Sequence, residues 1–339
     1  MNQCFDKLMS FNQIKINTMK LTLIVGFLLM CLKFLAFYLT QSNAILTDAI
    51  ESIVNVLAGS FALYSLYYAA KPKDEDHPYG HGKIEFLSTG VEGGMVTLAG
   101  LAMTIKGIHS FFDPNNLQNV DIGLGISLFS GIVNYFLART LIKKGMLLHS
   151  STMVADGKHL LTDTWSSAGL VLGLIIIYFT NLFWIDYVIT IGLGIFITVT
   201  GFHLIKESIF NLLDKADYGK IEHLISVLNV KRNPSWIDIH NLRVVKYGSV
   251  VHVDCHMTLP WYYTLEESHK EVDSLDKLVT TEFSHEIEFF IHADPCVPKS
   301  CSICEIHDCK VRKDNFVKRL EWKMGNVLPD EKHTASSIL

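Results

Sequence analysis

Charge is scarce in this chain. Of its 339 residues only 19% are Asp, Glu, Lys or Arg, against ~25% in an average soluble domain. Apolar residues, glycine not counted, reach 49%, and mean hydropathy is +0.28. The shortage is uneven: long uncharged runs fill the region before residue 206, while Lys, Asp, Glu and His crowd the C-terminal remainder. That pattern excludes a single soluble globular enzyme and indicates a membrane domain followed by a soluble one. An excess of positive charge is also missing. With 29 Lys and Arg against 34 Asp and Glu the net charge is −5, which excludes a strongly basic nucleic-acid binder. Disorder is excluded in turn, because 11% aromatic residues at so small a net charge is the wrong composition for it. No HExxH sequence is present, so a membrane-embedded metalloenzyme, which would need such a motif and an open metal position, lacks support.

The chain does hold 15 histidines and seven cysteines, four of them between 296 and 309. A helix needs ~20 mostly apolar residues to cross a ~30 Å hydrocarbon core. Six segments qualify, near 20–40, 44–70, 86–110, 121–142, 158–180 and 184–205. The first is read as a true span and not a signal peptide, since no small-residue cleavage pattern accompanies it. Lys7, Lys15 and Lys20 precede the first span, Lys71, Lys73 and Lys83 follow the second, and Lys143, Lys144 and Lys158 follow the fourth. The alternate loops, near 41–44, 111–121 and 181–184, have no Lys or Arg. The positive-inside rule then expects both termini and the basic loops in the cytoplasm.

Polar residues inside spans are costly and mark function. Span two holds Asp48, Glu51 and Asn55 on one helical face, and span five holds His159 and Asp163 at i and i+4. Carboxylate, amide and imidazole on two helices make a metal-ligand set; interhelical hydrogen bonding is the alternative, strongest for Asp48 near the outer end of its span. Lys33 in span one is read as structural. The loop KPKDEDHPYGHGK brings Asp74, His77 and His81 at spacings of three and four. One turn around Pro78 and Gly80 would gather them on a divalent ion; a merely solvated loop is the alternative.

Beyond Phe210 the pattern changes. Residues 217–229 and 264–282 read as helices, and 237–246, 250–258 and 287–293 as strands, with a turn at Gly248–Ser249. The order αββαβ over ~80 residues is a small α+β sandwich. His252, Asp254 and His256 alternate along one strand, and His292 and Asp294 along another, so histidines from several elements converge in a short domain. Last comes C296-x4-C301-x2-C304-x4-C309, with His307 inside it. In a reducing cytosol it reads as a thiolate metal site of zinc or iron–sulfur type, or as a redox-sensing cluster, rather than as disulfides.

These residues resemble the cation diffusion facilitators, which export divalent metals in exchange for protons. The resemblance covers roughly residues 20–295 and rests on six spans, His159-x3-Asp163 in span five, DHPYGHGKIE at 76–85, and an αββαβ domain ending in FFIHADPC. It implies an α-helical membrane domain of six transmembrane helices plus a metallochaperone-like (ferredoxin-like) cytoplasmic domain. The expected divisions are a cytoplasmic segment 1–19, a transport domain 20–210, a dimerisation and metal-binding domain 211–295, and a Cys-rich extension 296–339. It implies three kinds of site: a transport site of Glu51, Asn55, His159 and Asp163, with Asp48 as a further carboxylate; a loop site of Asp74, His77 and His81; and a cytoplasmic site of His240, His256, His269, His292 and Asp294. Seven of the histidines fall in these sites. His252 and His285 do not match the set and are read as surface residues. The family's span-two pair is usually two Asp, or His and Asp. Asn55 departs from it, which leaves Fe²⁺, Mn²⁺, Co²⁺ or Cd²⁺ open beside Zn²⁺ as first choice. Cys296, Cys301, Cys304 and Cys309 lie outside the family core. The resemblance further implies a homodimer in a lipid bilayer, multi-pass in the cell (plasma or inner) membrane, with metal and proton as substrates and no nucleic acid. A Lys83–Asp214 pair steadying the dimer is a further expectation. A membrane metal sensor without transport is the rival: it would need the cytoplasmic sites but not the polar residues in spans two and five.

Overall fold

The computed structural model describes residues 2–40, 43–110, 112, 120–180, 184–283 and 287–334, apart from some side chains within the helices. The chain divides into two compact units, Met1–Leu213 and Asp214–Leu339. The first is a bundle of six long helices: α1 (Asn2–Thr40), α2 (Asn43–Ala69), α3 (Ile84–Ser110), α4 (Val120–Leu147), α5 (Ser151–Thr180) and α6 (Trp184–Leu212). α1 begins well ahead of its apolar stretch, so the basic N-terminal residues are helical too. Among the described residues, Phe11–Tyr38, Ser52–Ala69, Ile84–Ser110 and Thr190–Leu212 are long and apolar enough to cross a bilayer. Large apolar side chains such as Leu98, Ile105, Phe136 and Phe202 stand exposed on the helices, as a lipid-facing surface requires.

Small residues set how the bundle packs. Without a hydrophobic force between helices in lipid, close backbone approach supplies the attraction. α3 and α6 run antiparallel with Gly93, Gly100 and Gly107 against Gly201, Gly194 and Ile191. A Cβ on Gly100 would sit 2.6 Å from the Thr198 nitrogen, and one on Gly194 2.8 Å from the Thr104 nitrogen. The threonines in this seam return their hydroxyls to the helix, Thr104 to the Gly100 carbonyl at 2.8 Å and Thr198 to that of Gly194 at 2.8 Å, so neither hydroxyl hydrogen is left facing lipid. Lys33, read as structural, is buried and donates to Ser52 at 3.0 Å.

The second unit is the expected αββαβ: α7 (Tyr218–Lys231), β1 (Asp238–Tyr247), β2 (Val250–Leu259), α8 (Leu265–Glu282) and β3 (Ile287–Pro295). The sheet order is β1-β2-β3, with β1 antiparallel and β3 parallel to β2. Gly248, at φ +66°, makes the β1–β2 turn. α8 starts on a capping box in which Thr264 and Glu267 satisfy each other's backbone N–H groups. Val251, Val253, Cys255, Met257 and Leu259 alternate on one face of β2 and are all buried; Ile221, Leu224, Leu275 and Val279 from the two helices join them. One feature of β1 breaks its alternation. The register breaks between His240 and Arg243, with Asn241 at φ +51°, so Asn241 and Leu242 together oppose Cys255. This bulge keeps Ile239, Leu242 and Val244 on the apolar face and leaves Asp238 and His240 on the other.

Residues beyond 296, expected as a separate extension, contribute to the same core. Ile303, Cys304, Leu320, Trp322 and Val327 are buried in it. Asn229 donates to the Trp322 carbonyl at 2.7 Å and accepts from its amide at 3.0 Å, and the Arg232 guanidinium lies 3.9 Å over the Trp322 ring.

Candidate metal sites

In the helical unit the structure brings Asn55 of α2 together with His159 and Asp163 of α5. Asn55 Nδ2 donates to Asp163 Oδ2 at 2.7 Å, and His159 Nε2 lies 3.6 Å from Asp163 Oδ1. His159 and Asp163 are buried. Asn55 Oδ1 is buried without a hydrogen-bond partner. A buried carbonyl oxygen left unsatisfied costs about 1–3 kcal/mol, so its presence beside an imidazole and a carboxylate is what a cation site requires. The side chains of Asp48 and Glu51 lie outside the described residues.

Two further acids enter this site that residue spacing did not single out. Glu92 of α3 is 2% exposed, places Oε1 3.6 Å from His159 Nδ1, and has no hydrogen bond to either oxygen. Asp156, one turn before His159 on α5, is also buried. Glu92 therefore faces the ring nitrogen opposite the one that faces Asp163. Its signal was an acid within an apolar run, the kind that marks function in a span.

In the loop, Asp74, His77 and His81 present ligand atoms all within 4.8 Å of one another. Asp74 Oδ1 meets His77 Nδ1 at 2.9 Å and the His77 amide at 2.7 Å, and Asp74 Oδ2 meets His81 Nε2 at 3.2 Å. Gly80, at φ +86°, gives the turn that returns His81 toward Asp74. The His77 hydrogen bond holds the Asp74 carboxyl below its ordinary value. His81 is buried against the edge of the Tyr68 ring, 4.9 Å between centroids. Lys83 belongs to the first unit and Asp214 to the second.

In the second unit His240, His256 and His292 are direct neighbours across all three strands. Asp294 gathers them: its oxygens lie 3.3 Å from His240 Nε2, 3.5 Å from His256 Nδ1 and 3.4 Å from His292 Nδ1. The atoms of His240, His256 and Asp294 fall within 4.8 Å of one another. Burial holds the His240 imidazole below its ordinary value, in favour of the neutral form that can ligate. His269 is not brought in. It stands on α8 with its side chain 72% exposed, 3.7 Å from Asp273. The surface reading of His252 is corrected: it is buried beneath the Tyr247 ring and lies 3.3 Å from Glu288. His285 lies outside the described residues.

Cys296, Cys301, Cys304 and Cys309 are free thiols on one short stretch. Amides point at two sulfurs, Trp261 N at Cys296 Sγ (3.4 Å) and Ile306 N at Cys304 Sγ. Arg312 clamps the stretch through the carbonyls of Cys301, Cys304 and Ile306. The four sulfurs are not drawn as close together as the two His/Asp groups. Burial pushes the Cys296 and Cys304 thiols up. The Tyr262 hydroxyl is pushed up to about 12 by burial and by its hydrogen bond with Cys309.

Long apolar helices around a His–Asp–Asn group, followed by an αββαβ unit with its own His/Asp cluster, are the architecture of a membrane transporter of metal cations, and the family match agrees. The cation efflux transmembrane domain matches residues 19–213, and the cytoplasmic domain of cation efflux proteins matches 213–296. The chain belongs to this family, the cation diffusion facilitators, and is a multi-pass cation efflux transporter rather than an enzyme. It is 30% identical over 250 residues to the uncharacterized transporter sll1263 of Synechocystis sp., covering 74% of this chain and 81% of that protein. It is 26% identical over 278 residues to the cation-efflux pump FieF of Yersinia pestis, covering 80% of this chain and 90% of that protein. The FieF protein of Yersinia pseudotuberculosis matches to the same extent.

Proposed function

We propose that this transporter exports a divalent transition-metal cation by exchange with protons, through a site shared by α2 and α5. The observation that carries the reading is the buried Asn55–Asp163–His159 group. The ligands would be His159 Nε2, an Asp163 oxygen and Asn55 Oδ1, with Glu51 completing the set and Asp48 in reserve. Metal and proton compete for these atoms, because imidazole must be neutral and carboxylates ionised to bind the ion. Alternating access would load the site from the cytoplasm, and protons from the far side would eject the ion. An amide in place of a carboxylate makes the site less negative, and its oxygen donors leave it harder than a His-rich one. Zn²⁺ stays the first choice, and Fe²⁺, Mn²⁺, Co²⁺ and Cd²⁺ are candidates beside it. The protein would act as a homodimer in the cell membrane with both termini cytoplasmic. The His240–His256–His292–Asp294 and Asp74–His77–His81 groups would bind the same metals and report their level.

The test is flux in proteoliposomes under a pH gradient, over a panel of these five metals. His159→Ala or Asp163→Ala should abolish transport while the protein still folds and dimerises, and Asn55→Asp should shift the profile toward zinc. Wild-type rates from either α5 variant would remove the assignment, and would favour the metal-sensor alternative.

A further inference from the structure

The cytoplasmic His/Asp cluster is not closed by the family domain alone. Residues from beyond the matched region return to it through Asp330, whose Oδ1 lies 3.9 Å from His256 Nδ1, and at three further points. The Asn241 amide, set free by the β1 bulge, donates to the Pro329 carbonyl at 2.8 Å. His333 takes both oxygens of Asp238, its Nδ1 meeting Oδ1 at 2.7 Å and its backbone N–H meeting Oδ2 at 2.9 Å. Lys332 Nζ lies 3.5 Å from Asp294 Oδ2 and donates to the Pro295 carbonyl at 3.0 Å.

The second of these contacts bears on His240. Asp238 is 1% exposed, and its Oδ2 lies 3.6 Å from His240 Nδ1, a buried nitrogen with no hydrogen-bond partner. The opposite ring nitrogen, Nε2, faces Asp294 Oδ2 at 3.3 Å. A carboxylate at one imidazole nitrogen with the metal position at the other is how proteins fix the tautomer and aim of a ligating histidine. Asp238 is the carboxylate here, and His333 holds it. The third contact works in the opposite sense. The Lys332 ammonium approaches the same Asp294 oxygen that faces His240 and His256, so a divalent cation there and the ammonium repel one another.

We infer that residues 329–334 are a working part of this metal site, with His333 positioning His240 through Asp238 and Lys332 competing with the bound cation for Asp294. The inference rests on reading the cluster as a metal site. Occupancy and docking of this segment are then linked, and the link is reciprocal: metal loosens Lys332, and removing Lys332 tightens metal.

The opposed signs of adjacent residues provide the test. The full chain in detergent is titrated with Zn²⁺, and hydrogen exchange of the β1 and β3 peptides gives a midpoint for this site alone. Lys332→Ala should lower the midpoint several-fold. Asp238→Asn and His333→Ala should raise it, about ten-fold for the closer Asp238, and His333→Asn, which keeps a donor to Asp238, should restore most of the loss. In the wild type Zn²⁺ should also speed exchange in residues 329–334. A purely structural segment would move all three variants the same way, or none, and that result overturns the inference while Asp294→Ala still abolishes protection. If Asp294→Ala leaves the midpoint in place, the metal site itself is refuted and the inference falls with it.

Discussion

Two nitrogens of one imidazole organise the membrane site. His159 Nε2 faces Asp163 and Nδ1 faces Glu92, each at 3.6 Å. Two buried carboxylate oxygens on Glu92 without hydrogen bonds are too costly to be incidental. On the proposed reading Glu92 is placed to orient the ring: a proton on Nδ1, turned toward Glu92, would leave Nε2 for the cation. Glu92→Gln should therefore reduce metal transport in proteoliposomes by about 10–100-fold, chiefly as a higher KM, with Glu92→Asp recovering part of it. An unchanged KM in a folded Glu92→Gln protein would deny the role. The sequence pointed to His159, Asp163 and Asn55 because each shares a helix face with another polar residue at a recognisable spacing. Glu92 showed only as an acid within an apolar run, because helical periodicity relates residues along one helix and says nothing of what a third helix brings to the ring's far side. The same holds for Asp238 and His333, whose partnership spans 95 residues.

At the scale of elements, hydropathy located the helices because an apolar run of about 20 residues has few alternatives, and alternation located the strands because one face of the sheet is buried. The bulge in β1 shows in the sequence only as a shift of the apolar phase, from Ile237 and Ile239 to Leu242 and Val244 across Asn241, too short to stand out within one strand. Glycines in the spans indicated close packing without saying which helices pair; the structure assigns the closest seam to α3 and α6. There an added Cβ on Gly100 would lie 2.5 Å from Thr198 Oγ1, 2.6 Å from the Thr198 nitrogen and 2.8 Å from the Gly194 carbonyl oxygen. Since backbone atoms cannot yield as a flexible side chain does, Gly100→Val should part the helices and destabilise the bundle by about 1–3 kcal/mol or more. Gly94, with nothing within 4 Å of its added Cβ, should accept Ala with little effect. Thermal unfolding of both variants in detergent measures the contrast, and equal midpoints would show that the seam does not limit stability.

For the whole molecule, the boundary drawn by family similarity and the boundary drawn by packing differ. The family domain ends at 296, yet Trp322 is 1% exposed in the core of the second unit. It is held there by Arg232 over its ring and by two hydrogen bonds with Asn229. Arg232 also donates to the Leu320 carbonyl at 2.8 Å, so residues of α7 and its cap serve the later segment directly. Truncating a buried Trp to Ala costs about 3–5 kcal/mol, and a whole domain holds only about 5–15 kcal/mol. Trp322→Ala should leave the second unit marginal. A chain ending at residue 296, which removes Ile303, Cys304, Leu320, Trp322 and Val327 together, should expose the α7 and β1 faces they cover and aggregate. Expression yield and size-exclusion profile in detergent would show it, with Trp322→Phe as a milder control that keeps most of the apolar area. A chain ending at 296 that purifies as the full-length protein does, and unfolds at the same temperature, would show that the family domain is the true stability unit. The later residues would then be a passenger on it, and their hold on Asp238 and Asp294 would have no structural foundation.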